Sequence, residues 1–261
     1  HCGGIIFYPE GVPEEFILES KKNEIIQQVV LNKKQISENK QFKIDILSSR
    51  ALAQLHYCIK GNSISFDDNY FDDRMCNLLS KGDNIGITLG ESPLIRKAFI
   101  KIKPRSISDI AIALAIIRPA AKNARNETSY DPNEIIYDDD VIDVIKKLFN
   151  CDDSKADKYR RDYMKGKLKV DDERIAKKLS TIRKYGFCKS HAYSYAQLVA
   201  KLTYIKVTNP KLFWESTLIH TKSSYRKWVH YQEAVLEDVN LSEFLNRKKM
   251  SIYSENRQNS H

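Results

Sequence analysis

The chain has 261 residues and a formal net charge of +9, with 42% apolar and 30% charged residues. This composition is typical of a globular protein with one large or two small domains, and no apolar run is long enough to cross a membrane. The five cysteines are scattered without the spacing of zinc ligands. They predict reduced thiols and hence a cytoplasmic protein. The lack of a long apolar run predicts that the protein is not associated with a membrane.

The first sixty residues predict a β-rich segment. β-Branched side chains are concentrated at residues 3–8 and 24–31. Residues 41–47 alternate between apolar and polar side chains, so that Lys43 and Asp45 share one face of a predicted strand. We expect the opposite, apolar face to anchor this strand.

The rest of the chain predicts loops and then helices. Residues 61–90 contain clusters of Gly, Asn and Asp and predict a loop-rich segment. Residues 106–109 and 154–157 are each a capping box that opens a helix. Helices are also predicted over 139–149, 172–184 and 190–207, and another helix begins at 210. A Tyr-Gly-Phe break ends the helix over 172–184, and Ser190 caps the helix over 190–207. A polar tail follows after about Asn246.

The positive charge is concentrated in one stretch. Residues 1–150 hold roughly 20 basic and 21 acidic side chains, whereas residues 155–211 hold about 16 basic and 5 acidic ones. Such a concentration is the electrostatic footprint of a polyanion site. A lysine-rich solvated surface explains the charge equally well.

Lys43 and Asp45 are the first residues that suggest chemistry. Side chains two apart in a strand point the same way, so a cation and a carboxylate would lie together. That pairing suits a metal-binding carboxylate beside a phosphate-binding lysine. Taken alone, the two residues are explained more simply by an ion pair on an exposed strand face.

A basic helix is the second candidate. Lys158, Arg161 and Lys165 are spaced to share one helical face, and Arg160 and Lys167 flank them. Unpaired like charges at this spacing repel one another, and a bound polyanion would relieve the repulsion. The alternative is a solvated face that nearby aspartates partly neutralise.

The third candidate is the start of the helix at residue 190. A helix N-terminus presents free backbone N–H groups to an anion, and Lys189, Ser190 and His191 add side-chain donors there. An ordinary corner between two helices is the alternative.

Read in order, these segments resemble the bacterial C-family replicative DNA polymerases, the DNA polymerase III alpha subunit family. The matching segments extend from residue 1 to about residue 219, and the last two are the most specific. They are 1–6 (His-x-Gly-Gly-Val-Val in the family), 42–47 (Lys-x-Asp-x-Leu), 82–86 with 91–92 (Gly-Asp-Thr-x-Gly and Glu-Ser), 103–119, 156–167 and 185–213.

The resemblance implies an α+β fold in three parts. Residues 1–60 would be the C-terminal part of a polymerase-beta-like nucleotidyltransferase palm, and residues 61–220 a mainly helical fingers domain. Residues 221–261 would form a C-terminal helix and polar tail of unknown role. Because the chain starts at His1 within a matching segment, we expect it to be a fragment of a longer protein.

It also implies template-directed transfer of a nucleotide from dNTP to a primer 3′-OH by two Mg²⁺ ions. Asp45 matches the third metal-binding carboxylate of the family and Lys43 a palm lysine. The other two carboxylates would lie upstream of His1, so we expect the fragment alone to be inactive.

The implied partners are a DNA primer–template and dNTP, with a sliding clamp and other replisome subunits contacting regions outside this chain. The fingers would bind nucleotide phosphates through Arg118, Arg160, Arg161, Lys165, Lys167, Lys189, Ser190 and His191. The sequence departs from the family at Tyr137-Asp-Asp-Asp140, at Cys188 and after Arg118-Pro119. An inactive or split relative that only binds DNA or nucleotide therefore stays open, as does an unrelated basic helical nucleic-acid-binding module.

Overall fold

The computed structural model describes residues 4–19, 28–41, 43–45, 49–67, 70–117, 137–168, 170, 173, 187–220 and 225–249. The chain divides into two compact units, His1–Ser49 and Arg50–His261. Over the described residues the protein is mostly helical, with one small two-stranded sheet.

The first unit contains that sheet. Strand β1 (Gly4–Ile6) pairs antiparallel with strand β2 (Lys43–Asp45), and Ile5 lies opposite Ile44. A 3₁₀ turn (Glu14–Phe16) and helix α1 (Lys33–Glu38) lie between the strands in sequence.

Two expectations for this unit change. The run over residues 24–31 forms no strand in its described part, 28–31, where Val29 makes a single bridge with Ile17. Of the apolar face expected to anchor β2, only Ile44 is among the described residues, and it is 45% exposed, as is its partner on β1, Ile5, at 51%. A pair of three-residue strands covers too little area to bury a face by itself.

The second unit is helical. Its described helices, numbered in chain order, are α2 (Arg50–Ile59), α3 (Asp73–Lys81), α4 (Pro93–Ile102), α5 (Ile107–Ile116), α6 (Asp138–Phe149), α7 (Asp153–Met164), α8 (Lys189–Thr208), α9 (Pro210–His220), α10 (Lys227–Leu236) and α11 (Ser242–Lys248).

Helix α8 is the centre of the main core. It packs along α5 and contacts α2, α3 and α9. Both central helices carry buried small residues, Ala111 and Ala113 on α5 and Ala196 and Ala200 on α8. Large side chains such as Trp214 complete the core.

Helices α6 and α7 form a hairpin with a small core of its own. Val141, Ile145 and Ala156 are buried between them. The rings of Phe149 and Tyr159 pack with their centroids 4.9 Å apart. The predicted apolar stripe over 139–149 is thus confirmed as the buried face of α6.

The loop-rich prediction for residues 61–90 is wrong over α3. Asp72 caps this helix by accepting hydrogen bonds from the amides of Arg74 (3.0 Å) and Met75 (3.1 Å). Met75 and Leu79, one turn apart, are buried, and Gly82 ends the helix in a left-handed conformation. The polar residues of this segment are therefore helix caps rather than loop.

One of the two predicted capping boxes is found and the other is not. Ser106 caps α5 as predicted, since its Oγ accepts from the amide of Asp109 at 3.1 Å. The box at residues 154–157 is wrong, because α7 begins at Asp153 and Asp152 accepts from the amide of Lys155 at 2.9 Å. The predicted helix over 172–184 and its Tyr-Gly break lie almost wholly outside the described residues, as does the tail after 249.

Candidate nucleic-acid interface

Helix α7 carries its cations on one exposed face. Lys158, Arg161 and Lys165 are exposed, as their spacing predicts. Together with Lys155 they line a groove of about 480 Å³, which also contains Ser154, Asp157 and Asp162. Because the apolar side chains of α7 pack against α6, the hairpin holds this basic face towards solvent.

Asp157 organises the two arginines of this helix. Its Oδ1 accepts hydrogen bonds from Arg160 Nε (3.0 Å) and Nη2 (2.8 Å), and its Oδ2 is paired with Arg161. The hydrogen bond from Arg161, with help from Arg160 and against the opposing effect of burial, lowers the pKa of Asp157. The pairs therefore stabilise the fold above the ordinary pKa of 3.8, and this contribution is lost as the pH falls through the lowered value.

The lysines of the same face, unlike its arginines, have no carboxylate partner among the described residues. Lys155, Lys158 and Lys165 make no ion pair with any residue that the structure describes. Lys167, just beyond the helix, is also exposed. The face therefore offers three ammonium groups without an ion pair to the described residues, beside an arginine held in place by Asp157, an arrangement suited to a chain of phosphates.

The N-terminus of α8 has an acidic partner of its own. The amide of Lys189 donates to Asp139 Oδ2 at 2.9 Å, and Lys189 Nζ lies 3.4 Å from Asp140 Oδ1. A parallel bridge between Tyr137 and Phe187 brings the start of α6 to this point. The carboxylates of α6 thus lie where an anion would be expected to bind.

Ser190 is not the N-cap of this helix, which corrects the prediction. Helix α8 begins at Lys189, and Cys188 occupies the cap position without a side-chain hydrogen bond. Ser190 Oγ instead lies 3.2 Å from Cys188 Sγ. The amide of Lys189 finds its partner in Asp139 from another helix, so a local cap is not needed there.

His191 lies among aromatic rings. Its ring centroid is 4.1 Å from that of Tyr195 and 5.2 Å from that of Phe187. The imidazole is still exposed, so one edge can reach a ligand.

The predicted residues lie in three places. Arg160, Arg161, Lys165 and Lys167 share the α7 segment, and residues 189–191 open α8. Lys43 and Asp45 lie on β2 in the first unit, with Lys43 exposed. Arg118 lies outside the described residues.

A complete metal site is not found in the part of the chain that the structure describes. No group of three or more His, Cys, Asp or Glu side chains there is placed to hold a metal ion. Asp45 could therefore supply one ligand of a Mg²⁺ site but not the set of oxygen ligands that Mg²⁺ requires.

A buried polar network surrounds residues 82–92, and the local sequence pattern did not predict it. Lys206 Nζ, with its side chain 2% exposed, donates to the carbonyls of Asp83 (2.8 Å) and Ile85 (2.9 Å) and pairs with Glu237 at 3.0 Å. Burial lowers the pKa of Lys206, and Glu237 opposes that effect. A lysine among the apolar positions of α8 was the available signal.

A second part of the network holds Glu91. Its Oε2 accepts from the amide of Gly86 at 2.9 Å and lies 2.8 Å from His230 Nε2. Gln54 Nε2 donates to the carbonyl of Gly86 at 3.0 Å and to Thr217 Oγ1 at 2.8 Å. Residues 82–92 are thus a buried structural loop.

Comparison with known proteins supports the resemblance seen in the motifs. A family model described as the bacterial DNA polymerase III alpha subunit finger domain matches residues 24–134. This range includes Lys43, Asp45 and helices α2 to α5, and it ends before α6. None of the helices of the candidate interface is within it.

Curated relatives extend the similarity over more of the chain. The DNA polymerase III subunit alpha of Ureaplasma parvum is 28% identical over 64% of this chain and 21% of the relative. That of Mycoplasma genitalium is 28% identical over 64% of this chain and 23% of the relative. That of Staphylococcus aureus is 25% identical over 71% of this chain and 22% of the relative. The chain thus spans less than a quarter of the length of these relatives. Among the described helices, none is long and apolar enough to cross a membrane.

Proposed function

We propose, from the premise that this chain is a divergent relative of the bacterial DNA polymerase III alpha subunit, that it is the fingers part of a DNA-directed DNA polymerase, preceded by a remnant of the palm. In this proposal the chain binds the phosphates of dNTP and of a DNA primer–template during replication. The helical second unit and the match over residues 24–134 support the assignment to the fingers.

The observation that carries the proposal is the groove along α7. Three lysines without ion pairs among the described residues lie beside Arg161 in a space of about 480 Å³. A triphosphate or a DNA backbone would neutralise these charges and relieve their repulsion. The shared carboxylate of Asp157 keeps both arginine side chains oriented before a ligand binds, which reduces the entropy lost on binding.

Asp45 and Lys43 are proposed to serve the chemical step. Asp45 would hold Mg²⁺ together with carboxylates from outside this chain, and Lys43 would contact the reacting phosphates. When bound, the two ions would lower the barrier of phosphoryl transfer by activating the primer 3′-OH and stabilising the leaving group. Their spacing supports the proposal, because Lys43 and Asp45 are alternate residues of β2.

Binding of dNTP to the 261-residue chain tests the groove. Replacing both Lys158 and Lys165 by Ala is expected to weaken dNTP binding by roughly tenfold or more and to reduce the slope of log K against log salt by about 2 for a DNA duplex. Equilibrium titration with a fluorescent dNTP and with a primer–template at several salt concentrations measures both quantities.

Lys147→Ala is the control for this experiment, because Lys147 is exposed on the neighbouring helix of the same hairpin. It should leave both values near those of the unaltered chain. If the double variant and the control bind alike, the groove does not hold phosphates.

The acidic partner of α8 gives a second prediction. Asp140→Asn removes the negative charge 3.4 Å from Lys189 Nζ while keeping an oxygen able to accept a hydrogen bond from the Tyr137 amide. If the start of α8 binds phosphate, this change should tighten binding of inorganic triphosphate by about threefold to tenfold, since a competing carboxylate is gone.

Asp143→Asn serves as the matched control, because it makes the same charge change one turn further along α6, at an exposed position. Isothermal titration with triphosphate compares the two. Equal affinities in both variants would assign the start of α8 to a purely structural corner.

A further inference from the structure

A second cleft lies between α2 and α9, formed by other residues than the α7 groove. Its volume is about 580 Å³, which is within the range of small-molecule sites. The polar side chains that line it are His56, Tyr57, Lys60, Asn62, Glu215 and His220.

Glu215 is the unusual member of this cleft. Its residue is only 9% exposed, yet its carboxylate makes no hydrogen bond or ion pair with the described part of the chain. The other strongly buried glutamate, Glu91, does have partners, namely the Gly86 amide and His230. The oxygens of Glu215 are not among the fully buried polar atoms that lack a partner, so they open into the cleft. They are therefore accessible acceptors for the donors of a ligand.

Aromatic rings form one wall beside this carboxylate. The rings of Tyr57 and His220 meet edge to face with centroids 5.7 Å apart. Tyr57 and Glu215 line the same cleft, and burial, followed by the nearby charge of Glu215, raises the pKa of Tyr57. A flat ring could pack here with its edge towards Glu215.

One histidine of this cleft, His220, is held in its neutral form at neutral pH. Burial, and then the proximity of His56, lower the pKa of His220. Lys60, which is exposed, is then the permanent positive charge among the lining residues. A ligand that fits has hydrogen-bond donors at one end and a negative charge at the other.

We propose that this cleft binds a guanine nucleotide, with the guanine edge on Glu215 and the phosphate near Lys60. Guanine offers two adjacent donors, its ring N1–H and its exocyclic amine, to the two oxygens of one carboxylate. Adenine and cytosine have a ring nitrogen that accepts beside their amine, and thymine has no amine. The guanine could belong to a free nucleotide or to an unpaired base in a single strand.

A metal ion is not the ligand suggested by the described residues. Glu215, His56 and His220 are not placed together as metal ligands there. The proposal also does not depend on the polymerase assignment, because it shares no residue with the α7 groove or with β2.

The test compares nucleotides that differ by single groups, using the 261-residue chain and isothermal titration. GMP is expected to bind about tenfold more tightly than AMP, and IMP, which lacks the exocyclic amine, should bind more weakly than GMP. The pentanucleotides TTGTT and TTATT test the strand in the same way. If the chain prefers GMP to AMP but binds the two pentanucleotides equally, the ligand is a free nucleotide. If it prefers TTGTT to TTATT but binds GMP and AMP equally, the ligand is a single strand.

Two variants connect the binding to the cleft. Glu215→Gln, nearly equal in shape, should remove the preference for guanine, and Lys60→Ala should weaken GMP without changing that preference. Glu243→Gln, at an exposed position of α11, is the control and should bind as the unaltered chain does. Equal binding of GMP, IMP and AMP, together with equal binding of the two pentanucleotides, would overturn the proposal whether or not the variants fold.

Discussion

Lys206→Ala is expected to lower the free energy of unfolding by about 3 kcal/mol or more, because one ammonium group serves several buried partners. Its removal leaves the carbonyls of Asp83 and Ile85 without their donor and Glu237 without its counter-charge. Nζ also lies 4.7 Å from the centroid of the Trp214 ring, so a favourable cation–π contact is lost as well. Urea unfolding followed by circular dichroism measures the change.

The matched control is Lys211→Ala, on the first turn of α9, where the side chain is exposed. It should change the unfolding free energy by no more than about 0.5 kcal/mol. A Lys206→Ala variant as stable as this control would show that the loop over residues 82–92 is held by other contacts.

Gly86→Ala should also destabilise the protein by about 3 kcal/mol or more. Gly86 has a φ of +88°, and an added Cβ would lie 2.8 Å from Trp214 Cζ3 and 3.0 Å from Phe213 Cε1. Both rings are fully buried, so neither can move aside without opening a cavity. The variant should therefore unfold at lower urea concentration.

Gly61→Ala separates backbone strain from this clash. Gly61 has a similar φ of +77°, but nothing lies within 4 Å of an added Cβ. It should be destabilised by only about 1 to 2 kcal/mol, the strain of a left-handed alanine. Equal losses for the two variants would mean that the aromatic rings adapt to the extra methyl group.

Lys206 and Gly86 show where reasoning from the sequence was incomplete. The motif at residues 82–86 and 91–92 identifies the family relationship, yet it gives no indication of what the residues do. In the folded protein it is a buried loop tied to α8 through Lys206 and to α10 through the pair of Glu91 and His230. Partners more than a hundred residues apart are not visible in a local pattern.

Local patterns predicted α5 to α9, five of the ten described helices of the second unit, whereas α2 lies within the first sixty residues, which were wrongly expected to be β-rich. The apolar stripe of α6, the Ser106 cap and the start of α9 at Pro210 depend on neighbouring residues only, and all three are found. The segment over 73–81 was misjudged because Asp72 and Gly82 are caps that look like turn residues. Charge spacing likewise predicted the basic face of α7.

The features that the sequence did not predict depend on contacts between helices that are distant in the sequence. Asp139 and Asp140 meet Lys189 although about fifty residues separate them in the sequence, so no local pattern indicates that the start of α8 has an acidic partner. Ser190 was expected to cap this helix because serine is a common cap. The contact from α6 replaces it.

Primer extension by the protein in which, in our proposal, this chain forms the fingers tests the central claim most directly. In the presence of Mg²⁺ and dNTP the unaltered protein should extend a primer in a template-directed manner. Asp45→Ala should reduce extension by a factor of a thousand or more, on the order of what loss of transition-state charge stabilisation by a metal produces, while primer–template binding is retained. Absence of extension by the unaltered protein, or undiminished extension by Asp45→Ala, would contradict the account.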